Sequence, residues 1–497
     1  QMCIRDRNIC AVINVEKIFS SVIDNKNKLN SEYQDCSDFL LRECKIGNTN
    51  CIVCVLDGMI SSLQLSEMIM SPALNFNGKC ETPTELFETL KLRVINSLEM
   101  SEAENFDDVY FYLSSGFAAM FVDGVSKCLV MGIQGFVKRA VMEPTNEANI
   151  KGAKECFTET LNDNKATLHR RIKTPDLKMK QMKVGGNAKT SVAVCYIKGV
   201  ADMRIVSEVE RRILTAPIKN LCDFGEISSF LDTDIKSYFT ATGNTERPDT
   251  FCSKLMEGRV GVLVDGSPYA IYVPYLFSDS FTTPDDYNNR PFYATLNRVL
   301  KYFSFVISIV LPGFYVATGT FHQELIPTSL MYTIAAAEAT TPFSLMQEAI
   351  MVLVLYEIMR EAGLRLPKSI GHAVSIIGAL VIGDAVVNAG LVGAPMLVVV
   401  AVTAISSYVI YPLYESISVL RIVFILLGGF TGIYGIVLGL CALCVNITAI
   451  NPYGVPYSSP ISPLTRKSLG DVFYREDWRK LVKRNFKIQD VRGADID

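Results

Sequence analysis

The sequence predicts a two-part chain: an α/β (α+β) soluble N-terminal region built as two similar subdomains, followed by an α-helical domain with several membrane spans. Three observations carry this. Hydrophobic residues make up 49% of the 497 positions and mean hydropathy is positive, above what a soluble two-domain chain needs. The long uncharged runs are confined to the part after about residue 291. A pair of sequence patterns recurs at a fixed spacing before it. A formal net charge of −3 gives no footprint for nucleic acid.

The first repeated pattern is Cys51-Ile-Val-Cys-Val-Leu-Asp-Gly58, an apolar strand ending in a glycine turn, with a helix-like stretch after it through Leu65 and Met68. Val192-Ala-Val-Cys-Tyr-Ile-Lys-Gly199 repeats it, with Val206 to Ile213 after it. The second is Leu113-Ser-Ser-Gly116, an apolar run, Asp123-Gly124 and a further run to Ile133, copied as Leu255-Met-Glu-Gly258, Asp265-Gly266 and a run to Val273. From Gly58 to Gly199 is 141 residues and from Gly124 to Gly266 is 142. Each Asp-Gly between apolar strands predicts a two-residue hairpin, since a tight primed turn needs positive φ. Its aspartate is then turn chemistry, because no partner base or carboxylate stands beside it. Subdomains over 38–145 and 146–290 follow, with 1–37 left unassigned.

The helical domain is expected over 291–450. From Gly371 to Tyr414 only Asp384 is formally charged, and from Ile422 to Pro463 nothing is. A helix needs about 20 apolar residues to cross the hydrocarbon. Four spans fit, near 296–319, 371–391, 394–414 and 418–446, with 343–361 lying in the interface or re-entering. That arrangement puts Arg360, Arg365 and Lys368 outside, against the positive-inside rule, and six spans is the alternative. Glu324, Glu338, Glu348 and Glu357 fall in a stretch with no Lys or Arg, and an acidic external mouth there would concentrate cations. Asp384, Glu348 and Glu357 are therefore the candidate ion-path or gating residues. For Asp384 the structural reading, a carboxyl bonded to a neighbouring helix, stands beside the functional one, because aspartate at a span centre costs about 2.5 to 3.5 kcal/mol and needs a reason. Glu357, Arg360 and Glu361 also have the spacing of a local ion pair on a helix surface. Ala379, Gly383, Ala385 and Ala389 supply small residues for close helix packing and self-association. The tail, 451–497, carries nine Lys or Arg after Pro463, which predicts a cytoplasmic location beside anionic lipid. An even number of spans then makes the N-terminal region cytoplasmic too.

Fourteen cysteines are scattered with no dense framework, the pattern of reduced thiols. The pairs Cys51/Cys54 and Cys441/Cys444 lie in apolar segments without nearby histidine, so they read as packing and no metal or cofactor is predicted. Gly185-Gly-Asn-Ala-Lys-Thr190 has Ala188 where a phosphate loop needs glycine. His169, His322 and His372 are far apart in sequence, and no catalytic constellation survives inspection. The chain reads as a non-enzyme. A secondary transporter of ions or small solutes is the alternative, since broken apolar segments with a carboxylate are where such proteins bind ions.

The joins between these elements carry a family resemblance. Cys156-Phe-Thr-Glu-Thr-Leu161, His169-Arg-Arg-Ile-Lys173 with Pro175-Asp-Leu177, and Asn244-Thr-Glu-Arg-Pro-Asp249 resemble the A subunits of spore germinant receptors, the GerA family. So do Phe321-His-Gln-Glu-Leu-Ile-Pro327, Arg360-Glu-Ala-Gly-Leu-Arg-Leu-Pro367, Gly378-Ala-Leu-Val-Ile-Gly-Asp384 and Asn451-Pro-Tyr-Gly-Val-Pro456, in the same order, over roughly residues 38 to 490. Cys156 departs from the glycine of the family pattern. The resemblance implies a multi-pass protein of the spore inner membrane that responds to small nutrients with ion release. It implies B-type, transporter-like, and C-type, lipoprotein, partner subunits. It makes the A subunit an oligomeric conduit or signalling body.

Overall fold

The computed structural model describes residues 16–76, 78, 80–135, 147, 149–233, 237–367, 378, 381–465, 469–481 and 487–494. Its N-terminal region contains two five-stranded antiparallel sheets. The first has β1 (Phe39–Ile46), β2 (Thr49–Leu56), β3 (Met100–Ala103), β4 (Phe117–Val122) and β5 (Cys128–Gly132) in the order β1-β2-β4-β5-β3. The second has β6 (Leu177–Val184), β7 (Thr190–Ile197), β8 (Gly243–Thr245), β9 (Val260–Val264) and β10 (Ala270–Val273) in the order β6-β7-β9-β10-β8. Strand for strand the two topologies are the same. The register repeats as well: Cys51 faces Val122 as Val192 faces Val264, and Ala103 faces Cys128 as Thr245 faces Ala270.

The central strands read as continuous apolar runs because helices cover both faces of each sheet. On β2, Ile52, Cys54 and Leu56 enter one core while Cys51, Val53 and Val55 enter another, as the two-residue period of a strand requires. The copies share two helices: α1 (Val22–Glu32) and α2 (Phe106–Leu113) in the first, α3 (Leu161–Arg171) and α4 (Pro248–Met256) in the second. Residues 16–37, unassigned from sequence, thus complete the first copy. Ile18, Val22, Leu29 and Tyr33 are buried in its core.

The Asp-Gly turns differ from the expected two-residue hairpins. The β4–β5 and β9–β10 connections run over 123–127 and 265–269, closed by Val125 N to Val122 O and by Ser267 N to Val264 O. Gly124 and Gly266 take φ of 87° and 89°, open to glycine at little steric cost. The longer loop turns each aspartate onto a helix start: Val22 N donates to Asp123 Oδ1 and Leu161 N to Asp265 Oδ1, both at 3.1 Å. The carboxylate satisfies a backbone donor that has no partner in its own helix.

The copies meet through the residues just before β1. Ser37 N donates to Met179 O on β6 at 3.1 Å, and Lys165 Nζ reaches Ser37 Oγ at 3.3 Å. At the centre, His169 Nε2 of α3 lies 2.5 Å from Asp38 Oδ2, both side chains almost completely buried. Burial alone would raise the Asp38 pKa, but the adjacent His169, its hydrogen bond and Lys165 hold it below the usual carboxylate value.

The C-terminal helices are α5 (Pro291–Thr320), α6 (Leu345–Arg365), α7 (Ala394–Tyr408) and the helical run α8 (Tyr414–Ala449). Two segments, Pro291–Thr320 and Tyr411–Ala449, are long and apolar enough to cross a membrane by length and composition. The second is not one straight rod. Gly432 breaks α8 with φ 66° and ψ −152°, and beyond it the chain doubles back: a Cβ on Gly439 would lie 2.8 Å from Leu427 Cδ1 and 3.2 Å from Phe424 Cε1. Ser416 Oγ, near the start of the run, donates to Tyr238 O, while Asn446, near its end, accepts from Ser237 Oγ at 3.2 Å. Both ends therefore meet one loop of the second subdomain. The stretch read as a single crossing, 418–446, is a helical hairpin whose arms, 414–431 and 433–449, pack closely through glycines. Of the segment 371–391, residues 378 and 381–391 are described.

The tail is anchored in the protein. Tyr453, Val455 and Ile488 join the core on one face of the second sheet, and Tyr457 joins the core on the other. That second core runs without interruption from Cys195 and Leu263 of the sheet through Phe277, Phe281 and Tyr457 to Phe305, Ile309, Leu413 and Ile417 of the helices.

Candidate functional site

Polar groups inside an apolar helix bundle are the natural place to look for function, because each must be paired or do something there. Glu348 lies in the first turn of α6, a helix opened by Ser344 and Gln347 in a reciprocal capping box. It is completely buried, its Oε2 accepts from Gly393 N at 3.0 Å, and its Oε1 has no hydrogen-bond partner. Gly393 caps the N-terminus of α7, so the carboxylate faces the positive end of that helix. Glu338 approaches the same point: its Oε1 and Glu348 Oε2 lie 3.5 and 3.6 Å from where a Gly393 Cβ would stand.

Glu357, nine residues further along α6, belongs to a second polar group. Tyr414 Oη donates to it at 3.0 Å, Ser418 Oγ at 3.3 Å and Arg360 Nε at 3.0 Å. The Arg360 guanidinium lies over the Tyr414 ring, 4.1 Å from its centre. The local Glu357–Arg360 pair expected from spacing is present, and it is tied into α8 as well. Beside it is Arg421 of α8, which the sequence reading passed over as the boundary of an uncharged run. Arg421 is completely buried, with Nε donating to Ser308 O of α5 at 3.0 Å and Nη1 4.0 Å from Glu357 Oε1. The available signal was Pro312: a proline inside an apolar helix leaves the carbonyl four residues earlier in need of a donor.

Asp384 belongs to neither group. It is exposed, in a π-helical turn (Val381–Ala385), and accepts from Asn388 Nδ2 at 2.7 Å. Gly383, Ala385 and Ala389 are exposed, with open space where a Gly383 Cβ would stand. Ala379 lies outside the described residues, as does His372. The structure thus brings Glu348 and Glu357 onto one helix, in two separate polar groups, and leaves Asp384 exposed on the single chain.

The cysteine pairs follow strand and helix geometry. Cys51 and Cys54 point to opposite faces of β2, and Cys441 and Cys444 are exposed on the second arm of α8. A separate charged cluster joins the two halves. Arg259, completely buried, donates to Pro274 O at 2.9 Å and to Asp279, which also accepts from Lys254 at 2.9 Å. Burial alone would raise the Asp279 pKa, yet Arg259 and Lys254 hold that carboxyl well below its ordinary range. Next along the chain, Arg298 of α5 pairs with Asp286 at 3.1 Å and with Asp471 of the tail at 2.8 Å.

Comparison with known proteins agrees on one family. The model of the Bacillus/Clostridium GerA spore germination protein matches residues 27–486. An uncharacterized membrane protein, YfkQ, of Bacillus subtilis is 36% identical over 93% of this chain and 90% of its own length. Spore germination protein KA of Bacillus subtilis is 34% identical over 94% and 86%, and spore germination protein GerLA of Bacillus cereus is 31% identical over 90% and 92%. The crystal structure of the N-terminal domain of the A subunit of the Bacillus megaterium spore germinant receptor GerK3 aligns with a TM-score of 0.38 at 25% identity, over 53% of this chain and 98% of that one. The chain belongs to the GerA family of spore germination proteins.

Proposed function

We propose that the chain is the A-type subunit of a nutrient-responsive germinant receptor, assembling with itself and with B-type and C-type partners as a gated ion conduit or signalling body in the spore inner membrane. The observation that carries this is the match to the GerA family over residues 27–486, and the bundle's organisation about one end supports its path through the membrane. Residues 298, 365, 408, 416 and 446 lie toward the second subdomain or the helix ends packed near it, whereas residues 320, 345, 393 and 432 lie at the opposite end. Supporting contacts are Arg298 with Asp471, Tyr408 stacked on Tyr414, and the two ends of α8 on Ser237 and Tyr238. At the other end Leu345 fills the space beside Gly319, and His322 stands by Gly432. A chain that is at the near end at 365 and the far end at 390 must return between them, which supports six crossings. Six crossings put Arg360 and Arg365 on the side of the N-terminal region and tail, as the positive-inside rule favours for a cytoplasmic face.

Asp384 and the small residues 383, 385 and 389, exposed on one chain, are the surface this reading assigns to self-association or to an ion path. Reporter fusions after residues 340 and 367 should report opposite sides of the membrane; the same side would remove the six-crossing arrangement. The functional test is genetic. Spores lacking this chain should lose the response to at least one nutrient mixture while still germinating with a nutrient-independent chemical trigger. Spores that keep every nutrient response in a strain with no other A-type subunit would refute the proposal.

A further inference from the structure

Pro312 sits in the middle of α5. Having no N–H, it leaves the Ser308 carbonyl without its intrahelical donor. In water such a carbonyl is hydrated at little cost; inside an apolar bundle an unpaired one costs several kcal/mol. Arg421 Nε supplies the missing donor at 3.0 Å. The seam continues along the same faces, since a Cβ on Gly428 would collide with the Gly313 carbonyl and one on Gly313 with Phe424 O. Residues 421 and 428 are two helical turns apart on α8, so the arginine and the glycine form one stripe against the kink.

The other edge of the guanidinium is unfinished. Arg421 Nη1 and Nη2 are buried and have no hydrogen-bond partner, while Glu357, the nearest carboxylate, is engaged by Arg360, Tyr414 and Ser418. A fully buried guanidinium with a free edge is a costly arrangement, and a shift of about 1 Å would bring the 4.0 Å approach to Glu357 within charge-assisted hydrogen-bond range. Arg360, only partly buried, can turn to solvent when released.

We propose that Arg421 is a positioning residue that takes the place of the donor missing at Pro312, and that exchange of Glu357 between Arg360 and Arg421 links α6 to the α5–α8 seam. The link gives the bundle two discrete arrangements, which is what a ligand-biased equilibrium needs. Its functional consequence rests on the gated reading above; the Pro312 relation does not.

The test uses the full chain purified in detergent, with thermal unfolding as the first readout. Arg421→Gln should lower the midpoint clearly. In a Pro312→Ala background, where the new backbone N–H can bond Ser308 O within the helix, the same change should shift it by less than half as much. Equal shifts in the two backgrounds would overturn the positioning role. If Arg421→Gln does not accumulate, Arg421→Lys in both backgrounds makes the same comparison. The second readout is nutrient-triggered ion release at matched protein levels. Arg360→Gln, which frees Glu357 for Arg421, should change the nutrient concentration for half response at least threefold, and that change should vanish when Arg421→Gln is added. A threshold unmoved by Arg360→Gln, in a complex that does respond to nutrient, would overturn the exchange.

Discussion

The two copies of the soluble fold share their strand topology and register, yet they are used differently. The fourth strand of the first copy starts at Phe117, paired with Gly132, and the matching position of the second is Arg259, just before its strand, whose side chain bonds Pro274 O. Phe117 packs at the margin of a closed apolar core. Arg259 is buried and bonds the segment that leaves the sheet for the helices. The core of the first copy ends within the N-terminal region, while a core of the second continues into α5 and α8 and takes in the tail. The two scaffolds share a topology, and only the second carries the core that continues into the helical bundle. The second subdomain is thus the one packed continuously against the helices, and the first is not.

The sharpest way to break this comparison is at its exit. Arg259→Met removes a buried cation and leaves Asp279 with Lys254 and the Leu276 N–H, at an expected cost of about 4 kcal/mol. Phe117→Leu, at the matching position, should cost about 1 kcal/mol. Chemical denaturation of the full chain in detergent measures both, and similar costs would mean that the second exit is not special. The next effect concerns the joint between copies. Asp38→Asn should cost on the order of 3 kcal/mol near neutral pH, because it leaves Lys165 without its buried counter-charge and takes from His169 the carboxylate it contacts. The native pKa of Asp38 is lowered, so its contribution is present above the unfolded value of about 3.9 and fades as pH falls through the native value. Wild-type and Asp38→Asn stabilities should therefore converge as pH falls through that lowered native value, and curves that stay parallel through the acid range would contradict the pairing. The smallest effect separates the repeated turns. A residue with a side chain in the left-handed region costs about 1 to 2 kcal/mol. In the same denaturation measurement, Gly266→Ala should sit at the low end because its Cβ meets only Cys222 O at 3.9 Å, and Gly124→Ala at the high end because its Cβ would press on Pro83 Cγ at 2.9 Å.

The duplication was legible because positive-φ glycines and central apolar strands leave a strong local pattern. Gly58, Gly116 and Gly124 reappear as Gly199, Gly258 and Gly266 with nearly the same φ. The matching helices α1 and α3 were missed at the start of the chain, although Asp24-Asn25-Lys26 and Asp163-Asn164-Lys165 are identical triplets. The asparagine is their shared device. Asn25 bonds Phe19 N and O, and Asn164 bonds Thr158 N and O. A helix whose polar cap carries the likeness gives little signal in a search for apolar runs.

In the bundle, hydropathy marked the apolar segments but not their direction. Gly428, Gly429, Gly432, Gly435 and Gly439 all lie in the run read as one span, and only three-dimensional packing reveals that Gly432 reverses it. Glu348 and Glu357 stood out as carboxylates in a stretch without basic residues, and both are engaged within the bundle. Arg421 did not stand out, because its role depends on Pro312, more than a hundred residues earlier. Asp384 was conspicuous by isolation, and on a single chain it remains an exposed carboxyl beside Asn388.

The most direct measurement is ion flux through the purified protein in liposomes, alone and with its B-type and C-type partners plus a nutrient mixture, with Asp384→Asn as the comparison. A gated conduit should show nutrient-dependent flux that the substitution changes while assembly stays intact. Flux obligatorily coupled to uptake of a solute would favour a transporter, and no flux from a correctly assembled, nutrient-binding complex would contradict the conduit.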